Sequence, residues 1–134
     1  MARIMIPRIT WLLLICLMLS QSTLLAAEAT ITVTKEQAGG EVSLKAGEIL
    51  QIELPSRGGT GYRWFAEATG APFLKLISET ARQVGESRPG SPVMQVWRFK
   101  AEKSGATEIK MAYYRSWEGV GKALDHFRIK LHIE

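Results

Sequence analysis

The stretch D-H-F-R-I-K-L-H-I-E, from Asp125 to Glu134, alternates strictly between apolar and polar side chains after its first two residues. The apolar positions are Phe127, Ile129, Leu131 and Ile133. A spacing of two places all of these side chains on the same face of an extended chain. The stretch therefore predicts a β-strand that turns one face to a core and the other to solvent.

Similar runs occur throughout the chain upstream of this strand. They cover residues 30–34, 42–44, 50–54, 62–66, 73–79, 94–101 and 108–113. Turn-forming residues such as glycine and proline separate them, and no helical spacing appears after residue 29. The pattern predicts an all-β sandwich of seven or eight antiparallel strands, because two amphipathic sheets bury their apolar faces against each other. We expect Trp64 and Trp97 to be the large core residues.

The N-terminal residues 1–27 have the pattern of a secretory signal peptide. Arg3 and Arg8 form a basic region, and an apolar run follows from Ile9 to Leu19. Because this run is shorter than the ~20 residues of a membrane span, an uncleaved anchor is the minor alternative. We expect cleavage after Ala27 or Ala29. The product is a periplasmic or secreted monomeric domain at 28–134, free of the membrane.

Composition narrows the class of protein further. The only cysteine, Cys16, lies inside the apolar run of the signal peptide. The domain at 28–134 then has neither a disulfide nor a thiol nucleophile, so its core alone must hold the fold. The formal net charge is +4, and removing Arg3 and Arg8 lowers it to +2. That charge is too small for a nucleic-acid-binding surface, so we expect no nucleic-acid partner.

Three segments between the predicted strands are the candidates for function. They read P-S-R-G-G-T-G-Y from Pro55, S-R-P-G-S-P-V from Ser87 and Y-Y-R-S-W-E-G from Tyr113. In an antiparallel stack, consecutive connections alternate between the two ends, and these three are every second connection. The sequence therefore predicts three loops at one pole of a rigid scaffold, which is typical of a recognition surface.

Within these segments, particular residue types favour binding to a protein. Glycines let a partner approach the backbone closely, although a bare flexible turn is the alternative. Trp117 follows the end of a predicted strand, where burial is difficult, and an exposed Trp is a typical binding anchor. The alternative is that Trp117 folds back over the edge of the sandwich. The candidate binding residues are Gly59, Thr60, Gly61, Tyr62, Gly90, Ser91, Pro92, Val93, Arg115, Ser116 and Trp117.

Catalytic and metal sites have little support in the sequence. Asp125 and His126 are adjacent on a strand, so their side chains point to opposite faces, and no nucleophile–base pair accompanies them. The two histidines, His126 and His132, lack the spacing of metal ligands, with or without Met94 and Met111. We expect no enzyme activity, no cofactor and no metal.

The three loops resemble the chagasin family of cysteine-protease inhibitors. The first family motif, N-P-T-T-G-[YF], is matched by T-G-Y at residues 60–62. Gly90 stands where the second motif, G-x-G-G, begins, and the following Q-V-W-R-F-K-A at 95–101 is similar to bacterial members. The third motif, R-P-W, corresponds to R-S-W at residues 115–117.

This resemblance implies an immunoglobulin-like β-sandwich without disulfides. It also implies a reversible inhibitor that plugs the active-site cleft of a papain-like cysteine protease with three loops. In that role, Thr60 and Gly61 lie over the catalytic thiolate–imidazolium pair, while Arg115 and Trp117 anchor one side of the cleft. The second loop, at residues 90–93, contacts the other side. The alternative function is a non-inhibitory immunoglobulin-like binding module of the cell envelope.

Overall fold

A computed structural model describes residues 28–134, which form eight strands in two sheets. The signal-peptide prediction falls on residues 1–27, outside the described residues. The strands are β1 (Thr30–Thr34), β2 (Glu41–Leu44), β3 (Ile49–Arg57), β4 (Tyr62–Thr69), β5 (Leu74–Gln83), β6 (Pro92–Ala101), β7 (Gly105–Arg115) and β8 (Asp125–Ile133). Two short 3₁₀ turns, Lys35–Gln37 and Val120–Lys122, complete the elements. The prediction of an all-β domain is confirmed.

The two sheets have the same layout. One has the order β1-β3-β6-β5 and the other β2-β8-β7-β4. Four of the pairs are antiparallel, but β1 runs parallel to β3 and β2 runs parallel to β8. The prediction of exclusively antiparallel strands was therefore wrong at these two pairs. The reason is that β2 lies in the other sheet, so β1 and β3 are separated by two chain reversals and share a direction.

The core lies between the inner faces of the sheets. All four apolar side chains of β8 are buried, while Arg128, Lys130 and His132 are exposed. Trp64 and Trp97 are only 2% and 1% exposed, which confirms them as large core residues. Burial of apolar surface contributes about 25 cal/mol per Å², and in the described chain no disulfide supplements it.

The strands extend further toward the candidate loops than their alternation predicts. β3 continues through Pro55 to Arg57, where it pairs with Pro92 at the start of β6. Proline is tolerated at the first residue of a strand, where a missing N–H is least harmful to the ladder. β7 likewise continues to Arg115, opposite Tyr62. The actual connections comprise residues 58–61, 84–91 and 116–124. The first is shorter than its irregular segment, whereas the other two are displaced from theirs and slightly longer.

A buried glutamine links the two sheets. Gln95 points inward from β6 and is 5% exposed. Its Oε1 accepts a hydrogen bond from Trp64 N at 2.8 Å, and its Nε2 donates to Trp64 O at 3.3 Å. Because Trp64 belongs to β4, at the edge of the opposite sheet, the amide satisfies backbone groups that have no strand partner on that side. The sequence analysis did not single out Gln95, although alternation places it on the same face as Trp97.

We predict that Gln95→Leu lowers the free energy of unfolding by about 1–3 kcal/mol, because both backbone groups of Trp64 lose their partner in a buried place. Urea denaturation measures this loss. Gln51→Leu is the matched control, since Gln51 is only partly buried and bonds to the side chain of Glu53. Equal effects of the two substitutions would show that the bridge between the sheets contributes nothing specific.

Candidate functional site

The three candidate connections lie together at one pole of the two-sheet stack, called the loop pole below. Each joins an odd-numbered strand to the next even-numbered one, and therefore lies at the same end. Direct contacts join them. Gly58 N donates to Ser91 O at 3.4 Å, and Arg115 Nε donates to Thr60 O at 3.0 Å. The structure thus brings residues of all three predicted segments into one surface.

The first connection, residues 58–61, is a braced turn. The Thr60 hydroxyl donates to Arg57 O at 3.0 Å and accepts from Tyr62 N at 3.4 Å. Gly59 and Gly61 have φ values of 78° and 80°, in the left-handed region where glycine carries no steric penalty. These bonds fix the path of the backbone, so the connection is a shaped ridge and differs from the flexible turn considered as an alternative.

Arg115 holds this ridge from the third segment. Besides its bond to the Thr60 carbonyl, its guanidinium lies over the ring of Tyr62, 4.4 Å from Cζ to the ring centroid. Glu118 approaches the same guanidinium at 3.5 Å. The side chain of Arg115 is therefore engaged within the chain and is about one-third exposed.

Trp117 stands on the ridge and faces solvent. It is 70% exposed, so it does not fold back into the sandwich. The far end of its indole covers Gly61, where an added Cβ would overlap Cη2 and come within 3.1 Å of two further ring atoms. A larger residue at position 61 would be strained by the positive φ and would displace the indole from its seat. The neighbouring Ser116 is exposed.

The second connection, residues 84–91, supports the other side of the ridge. Ser91 Oγ accepts from Arg88 N at 2.9 Å and donates to Glu86 O at 2.9 Å, which closes the turn. Gly90, with φ 80°, is exposed at its tip. Pro92 and Val93 belong to β6, and Val93 lies close to Gly58.

An aromatic layer lies beneath the ridge, and of its three rings only Tyr62 was among the predicted binding residues. The ring of Tyr113 lies 5.5 Å from that of Tyr62 and 5.1 Å from that of Trp64, between centroids. The Tyr113 hydroxyl accepts from Arg57 N at 3.1 Å, and Trp64 Nε1 donates to Pro55 O at 2.9 Å. Strand alternation already places these three rings on one face, which was the available signal.

The ridge separates two depressions that share Ser56, Arg57 and Tyr62 in their walls. One, of about 720 Å³, lies toward β5 and is lined further by residues that include Trp117 and Glu79. The other, of about 490 Å³, is lined on the opposite flank by Pro55, Trp64, Pro92, Tyr113, Leu124 and the ion pair Lys35–Asp125, among others. The backbone of residues 58–61 therefore stands between two depressions.

The acid and the histidine considered in the sequence analysis lie at the start of β8. Within residues 28–134, no group of three or more His, Cys, Asp or Glu side chains is arranged to hold a metal ion. Asp125 is paired with Lys35 at 2.8 Å, and His126 is exposed. In the same part of the chain, no helix is long and apolar enough to cross a membrane.

We predict that Gly61→Ala displaces the Trp117 indole, whereas Gly59→Ala does not. Both positions have a positive φ, so the backbone strain of about 1–2 kcal/mol is matched, but an added Cβ at Gly59 meets nothing within 4 Å. The indole N–H resonance of Trp117 in a ¹H–¹⁵N spectrum reports the displacement. An unchanged Trp117 resonance in Gly61→Ala would show that the indole is not seated on residue 61.

Comparison with known families identifies one family model along most of the described chain. The model described as Chagasin family peptidase inhibitor I42 matches residues 43–131, which include all three connections of the loop pole. Among characterised proteins, chagasin of Trypanosoma cruzi is 22% identical over 103 residues, which cover 74% of this chain and 94% of chagasin.

Solved structures share the fold. The crystal structure of the cysteine protease inhibitor EhICP2 from Entamoeba histolytica superposes with a TM-score of 0.72 and 23% identity, over 80% of this chain and 97% of EhICP2. PbICP-C, solved in complex with falcipain-2, gives a TM-score of 0.51 and 21% identity, over 81% of this chain and 93% of the matched chain.

Proposed function

Because the chain belongs to the chagasin family of peptidase inhibitors, we propose that it is a reversible inhibitor of papain-like cysteine proteases that acts through the loop pole. Family membership confirms the resemblance seen in the loop motifs, and the family consists of inhibitors and not of enzymes. The target class is supported by the relatives described as cysteine protease inhibitors, one of them solved with falcipain-2.

One observation carries this proposal: the braced glycine ridge with an exposed indole seated on it. Thr60 and Gly61 present backbone and little side chain, so the ridge can approach the floor of a narrow cleft. Its bonds to Arg57, Tyr62 and Arg115 are formed before binding. A preformed ridge loses less conformational entropy on association, which favours tight binding.

In the proposed complex, the ridge covers the catalytic thiolate and imidazolium without offering a bond for attack. Trp117 contacts one wall of the cleft with the apolar face that it now exposes to solvent. The second connection, around Gly90 and Ser91, contacts the other wall. Arg115 acts mainly by holding Thr60, since its guanidinium is already engaged within the chain.

We also propose that the all-β domain is an immunoglobulin-like sandwich. Two four-stranded sheets around a single apolar core support it. Gln95 ties the sheets together where a disulfide is lacking in the described chain. Such a scaffold keeps the loop pole rigid while the connections carry specificity.

Titration of papain with the domain at 28–134 tests the function. We expect inhibition without a covalent bond, and therefore also binding to papain whose thiol carries a small blocking group. Trp117→Ala should weaken the affinity by about 2 kcal/mol or more with little change in the melting temperature, because Trp117 is exposed.

Two results would count against this function. Absence of inhibition at micromolar concentrations would remove papain as a target and favour the non-inhibitory binding module. A Trp117→Ala variant that loses stability while keeping its affinity would assign the indole a structural role. Active papain mixed with heat-unfolded inhibitor serves as the control for non-specific loss of protease activity.

The proposed localisation is periplasmic or secreted, after removal of residues 1–27. Contacts of the first described residues support cleavage after Ala27 over cleavage after Ala29. Ala29 O accepts from Ile49 N at 2.9 Å, and Glu28 pairs with Lys100 at 3.0 Å. Cleavage after Ala29 would remove both interactions from the edge of β3.

We predict that a bacterial host exporting the full sequence yields a product that begins at Glu28, as measured by intact mass. In a variant that begins at Thr30, the free energy of unfolding should be lower by about 0.5–1.5 kcal/mol than in the chain that begins at Glu28. The reason is that the hydrogen bond from Ile49 N to Ala29 O is missing. A product beginning at Thr30, or one that retains residues 1–27, would overturn this assignment.

A further inference from the structure

Exposed apolar side chains are concentrated at the loop pole. Within residues 28–134, the large apolar side chains that are exposed are Leu76, Ile77, Val84, Trp117, Val120 and Leu124. Four of these six lie in connections at the loop pole, and three of them in the single connection 116–124. Clusters of exposed apolar surface mark interaction sites. The sequence motifs account for Trp117 alone, which leaves Val120 and Leu124 without a role.

Leu124 lies at the edge of the 490 Å³ depression beside the ridge. Its side chain is 66% exposed, although its backbone is fixed by a 2.8 Å bond from Leu124 N to Tyr113 O. The depression is formed by the pole ends of β3, β6 and β8 together with the inward rings of Trp64 and Tyr113. It therefore lies at the end of the core, adjacent to Thr60 on the ridge.

The walls of this depression favour an apolar occupant. Three of its hydrogen-bond donors are already used within the chain: Ser56 Oγ donates to Tyr62 O, Thr60 Oγ1 to Arg57 O, and Trp64 Nε1 to Pro55 O. Lys35 and Asp125 neutralise each other at 2.8 Å. A polar ligand would lose its water without gaining these partners, whereas an apolar group gains contact with aromatic rings and prolines.

We propose that this depression, with Leu124 at its rim, receives an apolar side chain from the wall of the protease cleft. The inference rests on the proposed inhibitor function and adds a contact opposite Trp117. Thr60 of the ridge and its flanking residues Arg57 and Tyr62 line the depression. A cleft wall beside the inserted ridge on this side therefore meets the depression. Its volume lies within the ~300–1,000 Å³ range of pockets that bind small molecules, so it has room for a single side chain.

Leu124→Ala and Leu124→Asp test the contact, with Ile77→Ala and Ile77→Asp as matched controls. Ile77 is a comparably exposed apolar residue, 52% exposed, near the start of β5 and hence far from the loop pole. For binding to thiol-blocked papain, we expect Leu124→Asp to raise Kd about tenfold or more, Leu124→Ala to raise it less, and the Ile77 variants to leave it within about twofold. Melting temperatures identify any variant that fails to fold.

A second measurement reports occupation of the depression itself. Trp64 is 2% exposed and lines its floor, so a partner side chain that enters should shift the Trp64 indole N–H resonance on complex formation. Leu124→Asp could lose affinity although the Trp64 resonance of the wild type does not shift on complex formation. The contact would then be limited to Leu124 at the rim, and the proposed occupation of the depression would be wrong.

The remaining outcomes separate the two proposals. If the wild-type chain does not bind papain, the inhibitor function fails for that protease, and the occupant proposed here fails with it. If the wild type binds and Trp117→Ala weakens binding while both Leu124 variants bind normally, only the second contact is wrong. If sedimentation shows a wild-type dimer that Leu124→Asp dissociates, the occupant is a second copy of the chain, which also overturns the proposal.

Discussion

The loop pole exists because every strand runs opposite to the strand before it in the chain. The rule holds even where successive strands lie in different sheets, and it is the reason that β1 parallels β3 and β2 parallels β8. Connections from odd to even strands must then gather at one end. The three segments that carry glycine, arginine and tryptophan are far apart in sequence, yet they need no special folding device to meet.

Once gathered, these segments stabilise one another. The first supplies the ridge, the second accepts the Gly58 N–H at Ser91 O, and the third contributes Arg115 to the Thr60 carbonyl. Each exposed backbone turn is thereby restrained by a neighbour and by its own hydrogen bonds. Such mutual restraint replaces the rigidity that proline would give to the first and third motifs, where this chain has Gly58–Gly59 and Ser116.

The alternation of apolar and polar residues predicted the features that depend on sequence spacing alone. The strand β8 and the buried Trp64 and Trp97 follow from alternation alone, because a period of two fixes which side chains face the core. Strand partners, the pole ends of β3 and β7, and the bridge from Gln95 to Trp64 depend on which strands become neighbours across the stack. Alternation carries no information about those neighbours. For the same reason, Trp117 could be recognised as exposed, but its seat on Gly61 could not.

Both described ends of the chain lie at the pole remote from the candidate loops. Glu28 and Ala29 precede the first strand beside Ile49 and Lys100. Glu134 O accepts from Ala46 N, and Glu134 N donates to Leu44 O at the end of β2. The described ends of the chain and the loop pole therefore lie at opposite ends of the two-sheet stack. An attachment at Glu28 or at Glu134, whether to a resin, a fused carrier or a cell surface, therefore leaves the loop pole facing away from the attachment.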